Sequence, residues 1–266
     1  MPTVLITGAA NGLGKATADE FTRKGWDVVA TDIAVPETPF QPGPGRCLFL
    51  EMDVRSDDAV NAAYHAIARD VDWIDLIINN AGIDRYFPLS ETSVSEFRNI
   101  FEVNLFGCYR VNSTFLPLLR KPGGRIIHIG SESGWLKVPF MPYPLTKNAL
   151  ERYAMVLRQE LRFSGIDVVI IRPGAIGTAI LDNVARLPEL EIGGSLEKPF
   201  RRFVTQAPKE IGKVITPGKA ARFICKVALV KDPKPVYRIN NSVLLRLASS
   251  IPFCLMERLI RKKLSG

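Results

Sequence analysis

Short runs rich in Val, Ile and Leu recur along the first two-thirds of the chain, at residues 4–7, 27–32, 46–53, 76–79, 125–130 and 167–172. They show little polar–apolar alternation, the pattern of strands buried on both faces. Helical periodicity fills the gaps over residues 13–24, 56–68, 93–119 and 144–164, the third reading as two helices that meet near Val103. Parallel neighbours require long crossovers, and right-handed crossovers put helices on both faces of the sheet. The expected fold class is therefore α/β, a Rossmann-type doubly wound parallel sheet in a single domain.

Beyond Arg172 the pattern loosens. Residues 174–217 hold several Pro and Gly and no long periodic element, as a lid or substrate loop would. A helix over 217–230 and a strand over 236–239 follow, then an amphipathic tail interrupted by Pro252. Residues 1–240 are expected to form the dinucleotide-binding catalytic part, including a substrate loop at about 179–216. Residues 241–266 are expected to be a C-terminal amphipathic extension of the same domain.

Composition excludes more than it assigns. The chain is 47% hydrophobic and 23% charged, enough apolar content for a packed core. No run is long and apolar enough for a membrane span, and the first strand starts too early to leave room for a signal peptide. Cys47, Cys108, Cys225 and Cys254 stand apart, which reads as reduced, buried thiols in a cytoplasmic protein. Two histidines far apart give no metal-ligand spacing, so no metal is expected. The net charge is +8, but the basic residues are scattered among acids and no nucleic-acid motif is present, so no nucleic acid is expected as a partner.

Gly8, Gly12 and Gly14 follow the first strand and open the first helix in the spacing T-G-x-x-x-G-x-G. Such a turn lets backbone approach a diphosphate at a positive helix N-terminus. Asp32 ends the second strand, 18 residues beyond Gly14, where a carboxylate accepts hydrogen bonds from a ribose and repels a 2′-phosphate. No arginine follows it, so NAD is expected over NADP. Tyr143 and Lys147 share a helix face, and an ammonium beside a phenol lowers the pKa of the phenol. Ser131 lies 12 residues before Tyr143, at the end of a strand, where its hydroxyl meets a reacting oxygen. Asn79–Gly82 occupies the end of the fourth strand.

Together these residues resemble the short-chain dehydrogenase/reductase family. The matches are T-G-A-A-N-G-L-G at 7–14, D-V at 53–54, N-N-A-G at 79–82, Asn104, G-S at 130–131, Y-P-L-T-K at 143–147 and R-P-G-A-I-G-T at 172–178, in order over about residues 1–240. The resemblance implies an NAD(H)-dependent alcohol dehydrogenase or ketone reductase. Tyr143 is then the general acid/base, Ser131 positions the substrate oxygen, Lys147 tunes the tyrosine and holds the nicotinamide ribose, and Asn104 helps to hold a water that relays protons. Gly8, Asn11, Gly12, Leu13 and Gly14 hold the cofactor diphosphate. Asp32 takes the adenosine ribose, and Asp53 with Val54 lies along the adenine. Asn80, Ala81 and Gly82 support the nucleotide side. Pro173, Gly174, Ile176 and Thr178 clamp the nicotinamide carboxamide. A homodimer or homotetramer through the helices over 103–119 and 144–164 is implied as well.

Three positions depart from the family pattern. Pro144 follows the tyrosine, so a helix starting at Pro144 is expected, with Tyr143 in extended backbone before it. Gly130 stands where serine is common. Glu132 follows the serine and faces either substrate or solvent. His128 reads as a histidine hydrogen-bonded within or beside the sheet.

Apolar residues of the loop and tail, such as Leu181, Val184, Phe200 and Phe203, suit a hydrophobic alcohol or ketone of steroid, retinoid or lipid type, or equally core and subunit contacts. In the tail, Leu255, Met256, Leu259, Ile260 and Leu264 form an apolar stripe beside Arg258, Arg261, Lys262 and Lys263. That helix either makes weak contact with an anionic membrane surface or docks on the protein. The alternative function is a dinucleotide-sensing binding protein of the same fold.

Overall fold

The computed structural model describes residues 1–190, 192–248 and 250–265. Strands β1 (Thr3–Thr7), β2 (Asp27–Asp32), β3 (Cys47–Glu51), β4 (Leu76–Asn79), β5 (Arg125–Ile129), β6 (Asp167–Pro173) and β7 (Val236–Ile239) form one sheet in the order β3-β2-β1-β4-β5-β6-β7. Every pairing is parallel, with Leu5 of β1 opposite Val29 on one side and Ile77 on the other. The expected doubly wound sheet is what the chain forms.

Side chains that alternate along each strand serve opposite faces. Val4, Ile6, Val28 and Ala30 pack with Phe21 of α1 (Gly12–Arg23) and Ile224 of α8 (Pro217–Ala228). Leu5, Val29, Ile77 and Ile126 pack with Val60 of α2 (Asp57–Ile67), with Val111 and Phe115 of α4 (Gly107–Phe115), and with Ala154 of α5 (Tyr143–Leu161). Burial on both sides explains why the strands read as near-continuous apolar runs.

The segment expected as two helices near Val103 is α3 (Val94–Phe101) running into α4 through one wide π turn, Glu102–Phe106. Such a turn inserts a residue into the helical ladder and re-aims the side chains around it. A capping box, Ser93 with Glu96, starts α3.

Two readings change in the region after β6. Residues 174–217 contain α6 (Ala179–Ala185) and the ten-residue α7 (Glu197–Gln206). Helix α7 escaped detection because its buried side chains, Phe200, Phe203 and Val204, span a single turn among charged neighbours. They join Phe140, Leu187 and Leu264 in a third apolar cluster over the ends of the strands. The tail forms α9 (Val243–Ala248) and α10 (Phe253–Ser265). The stripe expected on α10 divides: Leu264 is buried and Ile260 packs with the cluster, whereas Leu255 and Leu259 point outward. Five apolar residues cover more than one helix face, and α7 offers a surface to only one of them.

Cys108 and Cys225 are buried as expected, Cys47 is half-buried, and Cys254 is exposed on α10. Among the described residues no helix is long and apolar enough to cross a membrane, and no three His, Cys, Asp or Glu side chains are grouped to hold a metal ion.

Candidate active site

In a doubly wound sheet the crossovers leave in opposite directions at one point, and a crevice opens beyond the carboxyl ends of the strands there. Here that point lies between β1 and β4. The crevice is a cleft of about 600 Å³. It is lined by the glycine turn after β1, by Asp32 after β2, by Asp53 and Val54 after β3, by Asn80–Gly82 after β4, by Ser131 after β5, and by Pro173, Gly174, Ile176 and Thr178 after β6. Tyr143 and Lys147 enter it from the first turns of α5. All expected cofactor residues thus meet in one cavity.

The glycine turn is built for close approach. Gly8 and Gly12 hold φ of 66° and 53°, which side chains rarely tolerate. A Cβ on Gly8 would stand 2.7 Å from the Cα of Ala81, and one on Gly14 would collide with the Gly8 carbonyl at 1.9 Å. Asn80 locks this geometry: its Nδ2 donates to the carbonyls of Thr7 (3.0 Å) and Gly8 (2.8 Å). Helix α1 begins at this turn with no side-chain cap, and Gly12, Leu13 and Gly14 of its first turn line the cleft. Uncapped first-turn N–H groups facing a cleft suit a diphosphate.

Asp32 accepts from the N–H of Ala10 (2.9 Å) and of Ile33 (2.8 Å), which places its carboxylate against the glycine turn at the cleft wall. Asp53 is paired with Arg55 at 2.8 Å, which holds its carboxyl below the usual range.

Around the reacting position the picture departs from expectation in three ways. First, α5 begins at Tyr143 itself, so the tyrosine is helical and Pro144 occupies the second position. First-turn N–H groups have no partner within a helix, and a proline there forfeits no hydrogen bond. Second, the Tyr143 phenol stands above its ordinary value. Lys147 Nζ lies 5.5 Å from the ring centroid and donates to the Ile129 carbonyl at 2.9 Å. Burial pushes the phenol up, the Asp84 carboxylate adds to this, and a hydrogen bond with Ser131 opposes both. Burial also pulls Lys147 down. Third, Asn104 does not line the cleft. It is fully buried in the π turn, where its amide accepts from Ile83 N–H (2.8 Å) and donates to Ile83 O (2.8 Å) and Thr146 Oγ1 (3.0 Å). The side chain ties the loop after β4 to α5.

Ser131 Oγ shares a hydrogen bond with Ser133 Oγ (2.9 Å) and accepts from Ser133 N–H (3.1 Å). Glu132 faces neither of its expected partners alone: it borders the cleft, and its carboxylate accepts from Ser242 N–H at 2.7 Å, tethering the C-terminal extension. His128 is fully buried, with Nε2 3.4 Å from Asn112 Nδ2 and Nδ1 without a partner, and burial lowers it to about 3.

Sequence reasoning missed a group on the substrate side. Asp84 is buried, lines the cleft, and accepts from Asn183 Nδ2 of α6 at 2.9 Å, with the Tyr86 hydroxyl as a second hydrogen-bonding neighbour. Burial raises its pKa, and Tyr86 beside it is raised by burial and by the Asp84 charge. Asp84 stands two residues beyond the N-N-A-G run, in no motif of its own. Only the fold brings α6 across 99 residues to meet it.

The family model described as short chain dehydrogenase matches residues 2–187, well over half of the chain. The chain belongs to the short-chain dehydrogenase/reductase family. An oxidoreductase of Escherichia coli K12, named YbbO and uncharacterised, is 36% identical over 185 residues, covering 68% of each protein. Estradiol 17-beta-dehydrogenase 2 of Rattus norvegicus is 32% identical over 195 residues, covering 67% of this chain and 49% of its own length. A short-chain dehydrogenase from Streptomyces avermitilis superposes with a TM-score of 0.76 at 23% identity, covering 99% of this chain and 97% of that one, which shows the shared fold. This short-chain dehydrogenase is an oxidoreductase, and its family binds NAD or NADP.

Proposed function

We propose that this enzyme interconverts a hydrophobic secondary alcohol and its ketone with NAD(H), using Tyr143 as the general acid/base. The observation that carries the reading is the meeting of Ser131, Tyr143 and Lys147 in one cleft with the glycine turn and Asp32. The uncapped start of α1 and the glycine cradle fit a dinucleotide diphosphate.

When bound, the nicotinamide supplies or accepts the hydride. The protein handles the proton and the orientation. Ser131 Oγ hydrogen-bonds the substrate oxygen, and Tyr143 Oη takes the proton from the alcohol or delivers it to the carbonyl oxygen. Lys147 holds the nicotinamide ribose. Asp32 accepts from the adenosine ribose and repels a 2′-phosphate, and the charge of Arg55 is already met by Asp53, which supports NAD over NADP. Leu181, Val184 and Leu245 line the cleft and favour an apolar substrate of steroid, retinoid or other lipid type. This agrees with the kinship to a dehydrogenase named for estradiol. Residues 179–216 act as the substrate loop. The isolated cysteines suit a cytoplasmic location. A homodimer or homotetramer through α4 and α5 is supported by Tyr109 and Val156, exposed on those helices.

The test follows reduced-nicotinamide absorbance with a panel of hydrophobic alcohols and ketones. Turnover by the wild type and a loss of about 10²- to 10⁴-fold in Tyr143→Phe are expected. A Tyr143→Phe variant as active as the wild type refutes the role. Asp32→Ala is expected to narrow the preference for NAD, and tighter binding of NADP to the unmodified protein refutes the role of Asp32.

A further inference from the structure

Helices α9 and α10 both carry exposed apolar side chains. Val243 and Leu247 on α9 are 72% and 63% exposed, and Phe253, Leu255 and Leu259 on α10 are each at least half exposed. Exposed apolar side chains scattered singly are ordinary, but Leu255 and Leu259 stand one turn apart on a single outward face of α10. It is not a helix face awaiting the body of the protein. Helix α10 is already seated on α7 through Ile260 and Leu264, and Arg202 Nη1 donates to the Leu264 carbonyl at 3.1 Å.

Charge identifies the occupant. Arg258, Arg261 and Lys262 are all exposed on α10, and Lys263 pairs with Glu210. Leu255, Arg258, Leu259 and Lys262 fall at i, i+3, i+4 and i+7, so apolar and cationic side chains alternate along one outward stripe. A second protein copy would have to desolvate those cations, whereas lipid headgroups neutralise them while the leucines enter the interface beneath.

We propose that the outward face of α10 is a docking surface for an anionic lipid bilayer, on which the enzyme sits reversibly. A single short amphipathic helix binds weakly, so exchange with solution is expected. The helix that precedes α10 in the chain, α9, borders the cleft, where Leu245 lines the wall and Glu132 tethers the start of the helix. A bilayer-dissolved substrate would therefore enter along α9, an extension that rests on the proposed lipid-like substrate. The docking itself does not rest on it, and the experiment reads binding without turnover.

The full chain is sedimented with vesicles of phosphatidylcholine containing about one-third phosphatidylserine, and with vesicles of phosphatidylcholine alone. Recovery in the pellet is expected with the anionic vesicles, falling with added salt. Two double variants, Arg258→Glu with Lys262→Glu and Leu255→Ser with Leu259→Ser, are each expected to lower the partition coefficient about tenfold or more. All four side chains are exposed, and circular dichroism checks that the variants fold. Equal recovery in the supernatant with and without anionic vesicles overturns the proposal. So does pelleting that neither variant weakens. A fall in oligomer size in the leucine variant, without vesicle binding by the wild type, assigns the face to a second copy instead.

Discussion

Asp84 is buried in the wall of the cleft, where its carboxylate accepts from Asn183 and neighbours the Tyr86 hydroxyl. Its charge raises the Tyr143 phenol. Alcohol oxidation needs the phenolate, so the sign follows directly. Removing the charge lowers the phenol pKa and enlarges the reactive fraction on the acid side. Asp84→Asn is expected to move the acid limb of the kcat/KM profile for alcohol oxidation to lower pH, while Asp32→Ala leaves that limb in place. A limb unchanged in Asp84→Asn shows that the carboxylate does not tune the tyrosine. Neither the Tyr–Lys spacing nor the Ser131 spacing contains this control, because it depends on burial and on a contact with α6.

At the scale of elements, β5 and α4 share a buried polar cluster in which Asn112 joins Asn79 (2.8 Å), Tyr153 (3.1 Å) and His128. His128 is held neutral, lowered from 6.5 to about 3 by burial. Between those values the unfolded chain binds more protons than the folded one, so folding stability falls with pH below about 6.5 and is full above it. From there to about pH 5 this one group costs about 2 kcal/mol of stability. Urea unfolding is expected to show that loss in the wild type and a smaller one in His128→Asn; equal losses assign acid sensitivity elsewhere. The histidine was legible as a residue of the sheet, whereas its missing Nδ1 partner was not. A second buried pair, Arg172 with Glu151, joins β6 to α5 through Nε–Oε2 at 2.8 Å. Glu151→Ala is expected to cost about 3–5 kcal/mol, because it strands a buried guanidinium. The measurement is again urea unfolding, and a cost below about 1 kcal/mol would mean that the arginine escapes to solvent.

At the scale of the whole molecule, two apolar surfaces lie on different elements. Tyr109 and Val156 are exposed on α4 and α5, and Leu255 and Leu259 on α10. The first pair belongs to the proposed subunit contact. Tyr109→Glu with Val156→Glu is expected to shift the sedimentation coefficient of the chain to that of a smaller species and to leave vesicle binding intact. An unchanged coefficient removes these helices from the interface.

Period and punctuation determined the alternation of strands and helices and the glycine turn, and the motifs shared with the short-chain dehydrogenases named the further residues that line one cleft. These depend on local patterns: continuous apolar runs, helical spacing, and glycines that only a tight turn needs. Tertiary structure decided the rest. It chose which leucines of α10 are covered, since a partner surface and not periodicity selects the buried side. It set the Asn104 amide between the loop after β4 and α5, and it brought Asp84 into the cleft that Tyr143 lines, where burial raises the phenol. In each case the deciding quantity is desolvation or contact between segments far apart in sequence, and no local spacing encodes it.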